Sequence, residues 1–461
     1  MDIDSLELTI ILAACHALVY AAFLLATFRP AFTFFHLFLV TQAVAFALRP
    51  LLAVSQGGFS LYGGTWGSYN LGLAYQLLAN ALVGIGYLVG YLGLGVPRNN
   101  PLAWRTRPLT RALWFSFVFG VSMVAWIHVL SKGAWLPTAR SVAITEAVPL
   151  GKILFPAAVI PLSVSVGLSG FLLYSALVGS RRRRALGEEK ANLWTVFTWL
   201  LTLLVSILLL SLLFQRGFVL AGFIVVILLL SRVNKLGYIK LGILGILALL
   251  VLTQIRPAVV TAVSLITGTS TETPLDRPSF LLRYFLYAPN FDTIDVWPVA
   301  ISYTEDRGFL MGSTLLAIPA RFMPPAARLA VDLRTGVDTL NEFQWGDRYW
   351  ETRFGFNITL PQELYINFGL LGFPFLTLAG LVGAFMDRKV WSFPALTPYT
   401  FYRLFAAFWV GVPVGEVGGI IQWALAYLLF GLGVEILVKV IIFKPRTRRV
   451  KDAHPLSHHP C

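Results

Sequence analysis

The chain has 461 residues, of which 57% are hydrophobic and 13% charged, with a mean hydropathy of +0.75. That composition excludes an ordinary soluble domain and marks an integral membrane protein. The net charge of +14 would point to nucleic acid in a soluble protein, but the basic residues gather between apolar runs, where they act as orientation signals, and no nucleic-acid partner is expected.

Runs able to cross a hydrocarbon core about 30 Å thick as helices are expected near residues 6 to 28, 31 to 53, 70 to 95, 112 to 130, 152 to 179, 193 to 214, 217 to 231, 237 to 254, 360 to 385, 397 to 414 and 417 to 442. The first follows an acidic stretch (Asp2, Asp4, Glu7) without a basic leader, and reads as a retained span. The alternation of an outer-membrane barrel is absent. The expected fold is therefore all-α, a polytopic membrane bundle of about eleven transmembrane helices with a large, partly helical extracytoplasmic loop. Residues 1–254 would form an N-terminal bundle of eight spans, 255–358 the loop, 359–442 three closing spans and 443–461 a basic cytoplasmic tail.

Alternate connections are rich in Arg and Lys: Arg29, then Arg98, Arg105, Arg107 and Arg111, then Arg181 to Arg184, then Arg232 and Lys235, then Arg388 and Lys389, then the tail from Lys444. By the positive-inside rule these face the cytoplasm, which puts the N-terminus and the long loop outside the cytoplasmic membrane and the C-terminus inside. Gly86 and Gly90 in the third span have the small-xxx-small spacing of close helix packing. Two cysteines, Cys15 and Cys461, provide no disulfide framework. The loop has no histidine, and no Walker, dinucleotide or zinc-protease pattern occurs, so no cofactor or metal is called for.

The loop carries nine arginines and eleven acids without a lysine. Arginine grips phosphate or carboxylate with a planar fork, so oxyanion recognition is expected of a few of them, while most should pair with loop acids. Residues 280 to 290 read as an interfacial helix, 311 to 322 and 326 to 334 as short helices broken by Pro324 and Pro325, and Phe343 to Phe356 as a stretch folding back over the membrane.

Arg216 lies in a three-residue outer turn before a short apolar run, so it is expected below the outer surface, either facing an anionic ligand or snorkelling to lipid phosphates. Arg256, Arg283 and Arg321 stand where apolar surface is expected and either line the same site or form structural ion pairs; Arg49, before Pro50, has the same two readings. Glu363 and Asn367 share a face four residues apart where the ninth span opens. Glu363 suits a general base or sugar-orienting group, or simply a positive helix start. Glu342, Asp347 and Glu351 lie among Trp345, Tyr349 and Trp350, a mixture suited to sugars and equally to a salt-bridged loop. Glu435 and Lys439 form an ordinary i to i+4 pair.

Three segments then carry a resemblance: Gln215-Arg216-Gly217, the stretch from Gly308 through Gly312 and Arg321 to Pro325, and Glu363-Leu364-Tyr365-Ile366-Asn367-Phe368-Gly369-Leu370-Leu371-Gly372. Together with many helices, one late outer loop and a few closing spans, these resemble the Wzy-type O-antigen and oligosaccharide repeat-unit polymerases. The resemblance implies a GT-C-like polymerase. It would move a growing glycan from polyprenyl diphosphate to the sugar of another lipid-linked repeat unit, inverting and without metal, alongside partners in export and chain-length control. It assigns Arg216 and Arg321 to the diphosphate and Glu363 to base or acceptor orientation. Arg283 and Arg256 join the diphosphate set on local reading, and Asn367, Glu342, Asp347 and Trp345 the sugar set. The alternatives are an O-antigen ligase, which would call for a loop histidine, and a lipid-linked oligosaccharide flippase or other transporter, which would favour repeats and charges near mid-membrane.

Overall fold

The computed structural model describes residues 5–27, 32–55, 62–94, 103–104, 106–131, 151–178, 192–213, 215–234, 292–319, 333–352, 355–392, 395–411 and 415–442. Seven of the helices described are long and apolar enough to cross a membrane. The expected span at 237–254 and interfacial helix at 280–290 lie outside the described residues.

The first spans are α1 (Leu6–Ala26), α2 (Phe34–Ala43) continuing through a π turn (Val44–Leu48) into α3 (Arg49–Ser55), and α4 (Trp66–Leu94). Ser5 starts α1 by accepting the Leu8 N–H, and Thr33 with His36 forms a capping box at α2. The widened turn precedes Pro50, which has no N–H to give the preceding turn and crowds its carbonyl. Next come β1 (Ala103–Trp104), α5 (Thr106–Leu130), α6 (Gly151–Val178), α7 (Leu193–Leu212) and α8 (Arg216–Asn234). Most residues along the apolar stretch Ile153–Leu177 of α6 are buried and few along α1 are, so α6 is the central post of its half. Its small Ser163 fits there, donating to the Phe218 carbonyl at 2.8 Å and accepting from Tyr427 at 3.1 Å.

The loop contributes α9 (Val296–Arg307), α10 (Ser313–Leu316), α11 (Gly336–Trp345) and α12 (Asp347–Thr352). Of the helix expected over 311–322, residues 311–319 are described and hold the single α-helical turn α10, which starts only at Ser313 because Met311 and Gly312 adopt positive φ (52° and 92°). Within the expected 326–334 helix, 333 and 334 are not helical, and the rest lies outside the described residues.

The closing elements are α13 (Leu360–Phe368), α14 (Pro374–Trp391), β2 (Ala395–Leu396), α15 (Pro398–Gly411) and α16 (Val417–Ile442). The span expected over 360–385 is a bent pair of helices, α13 and α14, which turn through 119° at the break between them. Gly369 takes φ +59° and ends α13, the turn Gly369–Gly372 follows, and Pro374 starts a new helix where its missing N–H costs nothing.

Two cores result. One joins α5, α6, α7, α8, α15 and α16, together with Phe34 and Leu37 of α2 and Val390 of α14. The other joins α1, α2, α4, α9, α13 and α14, with Leu340 of α11. Gly86 and Gly90 do pack closely: a Cβ on Gly86 would lie 2.0 Å from the Thr377 carbonyl oxygen of α14, and one on Gly90 2.7 Å from Ala384 Cβ. Connections assigned to the same side also meet. β1 and β2, from two basic connections, pair in parallel, and Asp387 accepts the N–H groups of Phe34 and Phe35 at 3.2 and 3.4 Å.

Candidate functional site

The site is built where the broken helix, the loop and the α15–α16 connection converge. α13 is nearly all buried, and Thr359 with Gln362 caps it while Gln362 also donates to the Thr293 carbonyl at 2.5 Å. Its C-terminal carbonyls, orphaned by the break, are taken by the loop: Leu310 N–H donates to Ile366 and Met311 N–H to Asn367, both at 2.9 Å. Met311 holds a left-handed backbone that costs a non-glycine residue on the order of 1 kcal/mol or more.

Glu363 is 1% exposed. Its Oε1 accepts the Thr314 hydroxyl at 3.2 Å and its Oε2 the Val417 N–H at 2.7 Å. Asn367, fully buried, donates to Thr314 Oγ1 at 2.6 Å and to the Glu363 carbonyl at 2.7 Å, and accepts the Gly312 N–H at 3.0 Å. In this conformation Asn367 braces the 308–314 turn with its whole amide.

A second buried carboxylate, Glu416, stands just before α16 and was not singled out from sequence. It is 3% exposed and accepts the Val337 N–H at 3.0 Å through Oε2. Each glutamate thus accepts an N–H at the start of a different helix, Glu363 at that of α16 and Glu416 at that of α11. Gly336 packs beside them: a Cβ there would lie 2.5 Å from Ile358 Cδ1 and 3.4 Å from Glu363 Cγ. The signal available in sequence was that Glu416 is the single charged residue between Arg403 and Glu435.

The remaining sequence candidates are placed as follows. Arg216 opens α8, and Phe218 two residues on packs against Trp409 and Trp423, at 5.4 and 4.6 Å between ring centroids. This sets the start of α8 beside the helix ends that flank Glu416. Arg256, Arg283 and Arg321 lie outside the described residues. Glu342 is paired with Arg334, the Trp345 ring meets Tyr62 edge-on at 6.4 Å, and Asp347 is exposed in the first turn of α12. Glu342 and Trp345 stand about 9 and 14 Å along α11 from Gly336 at 1.5 Å per residue, so the structure does not gather them around Glu363.

Arg49 is in a buried ion pair with Asp295, N to O 2.5 Å, each side chain 1% exposed. Beside it runs a directed hydrogen-bond chain that sequence reading did not anticipate. Trp297 donates to Gln76 (3.1 Å), Gln76 to Asn80 (3.0 Å) and Asn80 to the Tyr20 hydroxyl (2.6 Å), which meets His16 Nδ1 at 2.7 Å. The second His16 nitrogen lies 3.0 Å from the Leu73 carbonyl. Together these fasten α9, and through it α13, to the first spans.

A groove of about 610 Å³ opens along α14. Leu315, Leu360 and Leu364 line the end next to Glu363, Tyr87 and Asp387 the other, and Phe375, Leu378, Val382 and Ile421 are 58, 56, 41 and 37% exposed along its mouth. Among the described residues no three His, Cys, Asp or Glu side chains converge as a metal-donor set. Comparisons with protein-family models, with curated proteins and with solved structures found no match.

Proposed function

We propose that this protein is a glycosyltransferase-type polymerase that joins polyprenyl-diphosphate-linked oligosaccharide repeat units on the outer face of the cytoplasmic membrane. The observation that carries the reading is Glu363: a buried carboxylate fixed by Thr314 and Val417 on a broken membrane helix, next to one end of an apolar groove and under loop helices. Intramembrane carboxylates are costly and are functional suspects by default. The acceptor hydroxyl oxygen attacks the anomeric carbon from the face opposite the diphosphate. The bond from that carbon to the diphosphate oxygen breaks, the diphosphate leaves with the electron pair, and the acceptor proton passes to Glu363 or to solvent water, so the configuration inverts. Both Glu363 oxygens already accept hydrogen bonds, so its negative charge serves first to orient and polarise the acceptor; acting as base requires that the Thr314 contact open. Arg216, with Arg256, Arg283 and Arg321, is assigned to charge developing on the diphosphate. Flippase or transporter function would be favoured by a polar axial cavity, whereas the groove described here is apolar and opens sideways.

The test is to incubate purified protein with an authentic lipid-linked repeat unit and resolve the products on a gel. A polymer ladder that disappears in Arg216→Ala, Arg216→Lys and Glu363→Gln supports the reading. Absence of a ladder with any authentic repeat unit rejects polymerisation in favour of ligation or transport.

A further inference from the structure

We propose that the groove along α14 is the seat of the polyprenyl chain of the lipid-linked donor, which it threads to Glu363; this rests on the polymerase reading above. Three observations converge. First, the lining side chains are apolar or aromatic almost throughout, and the polar exception, Asp387, sits at the far end, held by the amides of Phe34 and Phe35 and the Tyr87 hydroxyl. Second, the groove shares its near end with the carboxylate's own supports. Leu364 follows Glu363, Leu315 follows Thr314, and Val417 both lines the groove and donates to Glu363. Third, its mouth is formed by exposed apolar side chains of α14 and α16, so a chain enters from the bilayer without passing through water.

From Phe375 to Asp387 the groove follows α14 for about 18 Å at 1.5 Å per residue, and its volume falls within the range of roughly 300 to 1,000 Å³ usual for ligand sites. A head group leaving the near end is delivered beside Glu363. Bulk phospholipid would fill the same apolar space but gains nothing from that continuity.

Gly383 provides a clean probe. It lines the groove, and a Cβ there would meet only Tyr87 Cδ2 of α4, at 3.8 Å, so a methyl is accommodated without displacing a neighbour. The experiment uses full-length protein in nanodiscs with two photoactivatable probes, a diazirine-bearing polyprenyl diphosphate and a diazirine-bearing phosphatidylethanolamine, and maps adducts by mass spectrometry. Polyprenyl adducts are expected on Leu378 to Gly383 and on Ile420 and Ile421, competed by unlabelled polyprenyl diphosphate and not by phosphatidylethanolamine. Gly383→Phe should lower them about tenfold, as filling a hydrophobic subsite does, and Gly383→Ala should not. If Gly383→Phe fails to fold, Leu378→Trp at the exposed mouth makes the same test. Equal labelling by both probes, or labelling indifferent to both substitutions, overturns the proposal. Specific labelling without polymer formation from any repeat unit keeps the groove and rejects the reaction. Polymerisation that is as efficient with a short prenyl donor as with a long one, and untouched by Gly383→Phe, keeps the reaction and rejects the groove.

Discussion

The Oε2 of Glu363 accepts the amide N–H of Val417 at 2.7 Å, and this bond joins a helix of one core to the first residue of a helix in the other. Removing the carboxylate in Glu363→Ala strands that N–H and the Thr314 hydroxyl, at a cost of about 2 to 3 kcal/mol for a buried charged acceptor. Glu363→Gln keeps an oxygen for Val417 and should melt closer to wild type, while its polymer ladder is lost. Thermal unfolding in detergent alongside the gel assay separates the two effects; a normal ladder from Glu363→Gln would remove the negative charge from the chemistry.

Arg49 and Asp295 form a buried pair, and removing one partner leaves an uncompensated charge. Arg49→Ala or Asp295→Ala is expected to lower stability by about 3 to 5 kcal/mol, and the double replacement Arg49→Met with Asp295→Leu by much less. A double-mutant cycle on melting temperature checks this. Additive losses would mean that the two side chains do not depend on one another.

The glycines of α4 should divide by what they face. Gly86→Ala drives a methyl into the Thr377 carbonyl and should abolish folded protein, whereas a Cβ on Gly93 meets nothing within 4 Å. Gly93→Ala should be neutral or gain up to about 1 kcal/mol from helix propensity. Yield of monodisperse protein on size exclusion reports both, and equal yields for the two variants would contradict the α4–α14 packing.

Sidedness can be read with single cysteines in a Cys15→Ser, Cys461→Ser background. Arg307→Cys, on an exposed side chain at the end of α9, should react with an impermeant maleimide in intact cells. Ser392→Cys, exposed beyond α14, should react only after permeabilisation. The reverse pattern would invert the topology.

Lengths of apolar runs foretold most spans because hydrocarbon thickness constrains helix length, whichever neighbours the helix meets. Gly86 and Gly90 were legible for a similar reason: absence of a side chain has one use on a membrane helix face. The break at Gly369 to Pro374 was not, since hydropathy counts apolar residues without registering chain direction, and proline is equally at home where a helix begins. Glu363 and Asn367 are four residues apart, so their shared face could be read locally. Glu416 could not be read that way. Its partner is a backbone N–H at Val337, 79 residues distant, and amide donors carry no side-chain signature. Asp295 was equally opaque: the loop's own arginines were the expected partners, as Arg334 is for Glu342, but its arginine comes from α3.

The two-residue pair of β1 with β2 has a mechanical consequence. β1 lies in the connection from α4 to α5 and β2 in that from α14 to α15, so each marks a place where the chain crosses between the two cores. Two crossings clipped together at one end act like the spring of a clothes-peg. The jaws are then at the far contacts, where Glu363 reaches Val417 and Glu416 reaches Val337, and any parting of the halves is felt there first.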